Sequence, residues 1–158
     1  MPTTPTLRPL RWWDIAVVER IEEDLFPEDP WSTEMFWSEL ADVPRSRYYV
    51  AAEIDGEIAG YAGLMSQAGA APRSVEGWIQ NIAVARGHQG KGLGAVLLQA
   101  LLEEAVRRQC AEVWLEVRTD NDSAKRLYTR YGFEPVGIRR GYYQPGDHDA
   151  LIMRKALV

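Results

Sequence analysis

The stretch HQGKGLGA, residues 88–95, sets three glycines at every second position, beside a lysine and ahead of a long apolar run. Glycine accepts the backbone angles that turn successive N–H groups toward one point. A helix starting there adds its positive end, so the expected ligand is a phosphate. Three kinds of phosphate loop compete. A Walker A loop needs a glycine five residues before the Gly-Lys pair and a hydroxyl residue after it; Ala85 and Gly92 occupy those places, and both ends fail. A dinucleotide fingerprint, G-x-G-x-x-A, is matched by Gly90, Gly92 and Ala95, with Glu112 near the expected distance of about 20 residues. That fingerprint follows its strand directly, whereas the polar ARGHQ intervenes here, and too little chain follows Gly94 to complete a doubly wound domain. The third pattern, Q-x-x-G-x-G, is spelled by Gln89, Gly90, Lys91, Gly92, Leu93 and Gly94, after the apolar strand end Ile82-Ala83-Val84 and before a helix. A tight turn with no ligand has the same composition.

Other side chains could do proton chemistry. Glu116 alternates with Leu115 and Val117, so it faces away from them across a sheet. A carboxylate in an apolar strand is costly unless paired or used, and an ion pair to Arg118 is the simple alternative. Tyr128 shares a helical face with Ala124, Leu127 and Tyr131, which by itself describes a core tyrosine. Asn121 reads as an N-cap, with Asp120 competing for that role. Cys110 has no neighbouring histidine and reads as a small buried hydrophobe. His148, in GDHD, reads as part of a hairpin turn rather than a metal ligand. His88 and Arg86 are either phosphate contacts or exposed loop residues. Glu22, Glu23 and Asp24 form an acidic cluster, read as a solvated helix face or a surface for a basic peptide.

The elements that position these residues follow from periodicity. Residues 11–26 carry Trp12, Ile15, Val18, Ile21 and Leu25 at helical spacing, and a second helix spans 33–40 behind Ser32 as N-cap. Residues 48–54 and 57–65, joined by Asp55-Gly56, read as a β-hairpin. A strand spans 75–84, a helix about 93–108, a strand 112–117, and a helix 121–131 closed by Gly132. Two last strands cover 133–138 and 149–155. The result is a mixed α/β sheet with packed helices, read as one domain over residues 1–158. The net charge of −5 argues against nucleic acid as a partner. One cysteine excludes a disulfide framework and fits a cytoplasmic protein. No stretch is long and apolar enough for a membrane span.

The loop QGKGLG resembles the pyrophosphate loop of the GNAT acetyltransferases. NDSAKRLYTRYGF (121–133) resembles the segment of that family in which an asparagine opens a helix, a tyrosine follows seven residues on, and Gly-Phe closes it. PWSTEMF (30–36), WLEVR (114–118) and RRGYYQPGDHDALIM (139–153) are similar to the RimI branch of the family, the ribosomal-protein-alanine N-acetyltransferases. The resemblance implies an α/β (α+β) GNAT fold: a mixed, mostly antiparallel sheet of about six to seven strands, flanked by about four helices and splayed between its fourth and fifth strands. It implies acetyl-CoA as cosubstrate and no metal. It further implies a protein N-terminus as acceptor, that of a ribosomal protein, with direct attack in a ternary complex; the alternatives are a lysine side chain, another protein N-terminus or a small amine as acceptor, or a noncatalytic CoA-binding module. By the same likeness, backbone N–H groups of Ile82, Ala83 and Val84 stabilise the charging oxygen, and residues 89–95, through Ala95, hold the pyrophosphate. Asn121 bonds the cosubstrate, Glu116 is the base, Tyr128 is the acid, and Tyr142 and Tyr143 wall the acceptor groove. One departure stands out: FPEDPWS is longer than the compact FPWS form of the loop bordering the acceptor.

Overall fold

A computed structural model describes residues 4–143 and 148–157, apart from the side chains of Tyr142, Tyr143 and His148. The expectations for those three side chains, the tyrosine wall and the histidine turn, lie outside the described part. The elements are β1 (Thr6–Pro9), a 3-10 turn (Trp12–Asp14), α1 (Ile15–Leu25), α2 (Thr33–Ala41), β2 (Arg47–Ile54), β3 (Glu57–Ala68), β4 (Val75–Val84), a second 3-10 turn (Arg86–His88), α3 (Leu93–Arg107), β5 (Glu112–Arg118), α4 (Asp122–Arg130), β6 (Glu134–Tyr143) and β7 (His148–Ala156). The strands form one seven-stranded sheet in the order β1-β2-β3-β4-β5-β7-β6. Every pairing is antiparallel except β4 with β5.

Period-two alternation sends the strands' side chains into two separate cores. Val50 and Ala52 of β2 point to one face, where α3 contributes Leu97, Leu98 and Leu101. Tyr49 and Ala51 point to the other, where Val18 and Ile21 of α1 and Phe36 of α2 cover them. The join between β4 and β5 is short. The two strands pair only from Glu76 with Glu112 to Trp78 with Trp114, and beyond that register they part. The Trp78 and Trp114 rings stack at the last pair, with centroids 5.5 Å apart, and Arg154 lies 5.8 Å from the Trp114 ring centroid. On its other side β4 carries a bulge: Gly63 faces Asn81 and Leu64 faces Ile79, so Gln80 is the extra residue. A bulge bends its strand and increases twist, which helps turn β4 away from β5.

Two expectations need correction. β1 precedes residue 11, where periodicity predicts the first element. TLRP is too short to show alternation, and it becomes a strand because the β2 edge pairs with it and Arg8 bonds both Glu53 and Asp14. The first helix begins at Ile15 rather than at residue 11. The Asp14 carboxylate accepts the Arg11 N–H at 2.8 Å and the Arg8 guanidinium at 2.7 Å, which holds residues 12–14 in a tighter turn. Trp12 therefore leaves the apolar stripe. It is 59% exposed and stacks on Trp37 at the surface.

Candidate active site

Where β4 and β5 diverge, a cavity of about 900 Å³ opens toward the α1–α2 loop. Ile82, Glu116, Asn121 and Tyr128 all line it, so four of the expected site residues share one space although they come from β4, β5 and the start and middle of α4. Ala83 points elsewhere: its side chain is buried in the α1–α2 core. The backbone explains how the three-residue strand end divides. Ala85 donates to the Ala59 carbonyl at 2.8 Å. Antiparallel alternation then turns the Ala83 N–H toward β3 and leaves the N–H groups of Ile82 and Val84 facing the side that β5 has vacated. Two donors, not three, face the gap. The Val84 carbonyl accepts from Gln89 Nε2 at 3.1 Å, which ties the glycine loop to the end of β4.

In that loop Gly90 and Gly92 have φ of +79° and +81°, a region that costs other residues strain. A side chain at either would meet nothing within 4 Å, so the loop's concave face is open. Gly92 caps α3, and the first backbone bond of the helix runs from Val96 N–H to the Gly92 carbonyl at 3.3 Å. The N–H groups of Leu93, Gly94 and Ala95 precede that bond and have no intrahelical acceptor. The side chain of Leu93 is in the core, so its N–H is the group it presents at the loop. Lys91 is exposed at the loop tip. The whole segment offers an anion several unpaired donors, one cation and a helix N-terminus.

Glu116 sits between the buried Leu115 and Val117 but faces the cavity, with its side chain only 14% exposed. Its ion pair is with Arg139 of β6, 3.0 Å away, rather than with Arg118. Arg118 instead bonds Asp120 at 2.8 Å and lies 3.8 Å from Glu28. That pairing leaves Asn121 as the N-cap of α4, accepting from the Ala124 N–H at 3.2 Å. Tyr128 is buried against Phe133, ring centroids 5.8 Å apart, and its hydroxyl has no hydrogen-bond partner among the described residues. Burial pushes its pKa up to about 12. It holds its proton at neutral pH and can give it to a stronger base.

The flanking residues also resolve. Arg86 bonds Asp24 at 3.1 Å, so it is held by α1. His88 Nδ1 is buried without a hydrogen-bond partner among the described residues. Cys110 is buried, as expected of a small hydrophobe, and burial raises its thiol pKa. The acidic cluster divides: Glu23 and Asp24 are exposed, while Glu22 is 2% exposed and lines the cavity. Glu22 accepts from the Tyr61 hydroxyl and from the Trp31 N–H, the latter at 3.1 Å. Its position was legible, since it lies four residues after Val18 on the apolar stripe. Arg139 carried no such signal, because nothing local pairs β6 with β5.

Residues 15–133 match the acetyltransferase (GNAT) family. The chain belongs to the GNAT acetyltransferases. Acetyl-CoA is accordingly its acetyl donor, and the open glycine loop beside the unpaired β4 donors suits a long pyrophosphate-bearing thioester. Among GNAT relatives, the N-alpha-acetyltransferase RimI of Mycobacterium tuberculosis is 43% identical over 136 residues, covering 85% of this chain and 82% of that one. The crystal structure of the ribosomal-protein-S18-alanine N-acetyltransferase from Escherichia coli superimposes with a TM-score of 0.79 at 31% identity, covering 98% of this chain and 94% of that one. Streptothricin acetyltransferase of Streptomyces lavendulae is 36% identical over 125 residues, covering 76% of this chain and 61% of that one. The splay that the GNAT resemblance implies between the fourth and fifth strands is the β4–β5 divergence.

Proposed function

We propose that this protein acetylates the N-terminal α-amine of a protein, the acceptor being the N-terminal alanine of a small-subunit ribosomal protein. The observation that carries the reading is the cavity at the β4–β5 divergence that Glu116, Tyr128 and Ile82 line together. The names of the Mycobacterium tuberculosis and Escherichia coli relatives supply the acceptor class.

Acetyl transfer from a thioester to an amine makes three demands on the chain. The amine must be neutral when it attacks, the carbonyl oxygen must be stabilised as it gains charge, and the departing thiolate must be protonated. Glu116 takes the amine proton through water. An α-amine with a pKa of about 8 needs only modest help, whereas a lysine at about 10.4 would need more. The N–H groups of Ile82 and Val84 donate to the charging oxygen, and the Tyr128 hydroxyl protonates the leaving sulfur. Gln89 through Ala95 hold the pyrophosphate, and Asn121 bonds the pantetheine arm. A small free amine is the second reading, favoured by the likeness to streptothricin acetyltransferase.

The test offers acetyl-CoA with peptides that differ at residue one, and others with blocked N-termini or internal lysines, and locates the acetyl group by mass spectrometry. Acetylation of free N-terminal alanine is expected, with Glu116→Gln and Tyr128→Phe each slower by about 10²-fold or more. Acetylation confined to lysines, or to small amines, overturns the acceptor assignment. Undiminished turnover in both variants overturns the assigned base and acid.

A further inference from the structure

Glu22 is a buried carboxylate without a counter-ion among the described residues. Its two hydrogen bonds come from neutral donors, the Tyr61 hydroxyl and the Trp31 N–H. No cationic side chain among the described residues pairs with it. The carboxylate of Asp29 repels it. Removing a carboxylate from water costs several kcal/mol unless a cation or good hydrogen bonds compensate. Burial accordingly raises the Glu22 pKa, as expected for an acid whose charged form lacks a partner.

The same side chain lines the cavity that opens to Glu116 and Tyr128. The other ionisable groups around that cavity are Glu28, Asp29 and Arg118, so carboxylates outnumber cations on its wall. Arg118 is engaged by Asp120 and Glu28, and Arg139, on Glu116, is spoken for as well. A small cation is what the wall lacks. An α-amine with a pKa of about 8 arrives mostly as an ammonium at neutral pH.

We infer that Glu22 is the counter-ion that receives the acceptor's ammonium group, a substrate-binding residue distinct from the base that later removes the proton. This inference rests on the N-terminal amine reading above. It divides two tasks between two carboxylates. Glu22 captures the amine as a cation, and Glu116, held by Arg139, accepts the proton beside the thioester. Glu22 also joins α1 to residue 31 of the α1–α2 loop, so the captured amine and the loop bordering it share one anchor.

The test uses two peptides of one sequence, one beginning with alanine and one with lactic acid, which puts a neutral hydroxyl in place of the amine. Binding of each to the full protein saturated with CoA is measured by calorimetry, so that no turnover occurs. In the wild type the alanyl peptide is expected to bind at least about tenfold more tightly. In Glu22→Gln that ratio is expected to fall below about threefold, with the lactyl peptide's affinity unchanged. Equal binding of the two peptides to the wild type overturns the inference, as does an unchanged ratio in Glu22→Gln. Should Glu22→Gln fail to fold, Glu22→Asp, which withdraws the carboxylate by one methylene, must lower the ratio; an unchanged ratio there overturns it equally. Failure of the parent reading looks different. The wild type would then leave the alanyl peptide unacetylated when given acetyl-CoA, whatever the binding ratio.

Discussion

Two buried glutamates each accept a hydrogen bond from a tyrosine across the α1–α2 core, and they are built for opposite ends. Glu39 of α2 takes the Tyr49 hydroxyl at 2.7 Å, Arg47 Nε at 2.8 Å and Gln80 Nε2 at 3.1 Å. Its charge is neutralised and three donors converge on it. Glu22 of α1 takes the Tyr61 hydroxyl and one backbone N–H, with no cation among the described residues. The first pair fastens α2 to β2 and, through Gln80, to the bulge of β4. The second leaves a carboxylate uncompensated on a cavity wall. The difference teaches that a buried acid is read by its counter-charge rather than by its depth: a saturated one is structure, an unsaturated one is a receptor.

The sharpest way to break this contrast is to make the same substitution at both sites. Glu39→Gln strips Arg47 of its partner inside the fold and is expected to cost about 3 kcal/mol in chemical denaturation. Glu22→Gln removes a charge that has no partner and should shift stability by less than about 1 kcal/mol. Equal losses would erase the distinction. Next in size is Gly63→Ala. A Cβ at Gly63 would lie 2.2 Å from the Tyr49 ring, so the Tyr49–Glu39 clasp must shift, at a cost of about 2 kcal/mol in the same assay.

The smallest effect concerns pH. Burial raises the Glu22 pKa above its ordinary 4.5, so the native state binds that proton more tightly than the unfolded chain does. The stabilisation is fully present below the unfolded value and is lost as pH rises through the raised folded one. Wild type minus Glu22→Gln in melting temperature should therefore grow as pH is lowered from neutral toward 4.5. A difference that shrinks on acidification would mean that Glu22 has a hidden cation.

Most of the sheet and all four helices were legible because each repeats its pattern locally. Alternation in EVWLEV marks β5, and the spacing of Leu93, Leu97 and Leu101 marks α3. β1 was not, because four residues ending in a proline carry no period and gain their structure from a β2 edge far along the chain. The site followed the same division. The glycine loop and the Asn121 cap are local, and their positions could be read directly. Glu116 could be flagged as an acid in an apolar strand, but its partner Arg139 comes from β6, and only the sheet order brings them together. The fate of Glu22 was readable in principle from its place on the apolar stripe. It was missed because the adjacent Glu23 and Asp24 made the trio look like a solvated face.

The brevity of the β4–β5 join has a consequence for where this protein carries its unpaired strand donors. Free N–H groups along a strand are templates for pairing with another chain, and proteins ordinarily guard them at the outer edges of a sheet. Here the donors of Ile82 and Val84 belong to a central strand, so the vulnerable edge lies inside the molecule. The Trp78–Trp114 stack marks the end of the paired register, and the buried Tyr128 lines the cleft from α4. The chain thus carries unpaired strand donors in the middle of its sheet, where a ligand can use them, rather than at the outer rim.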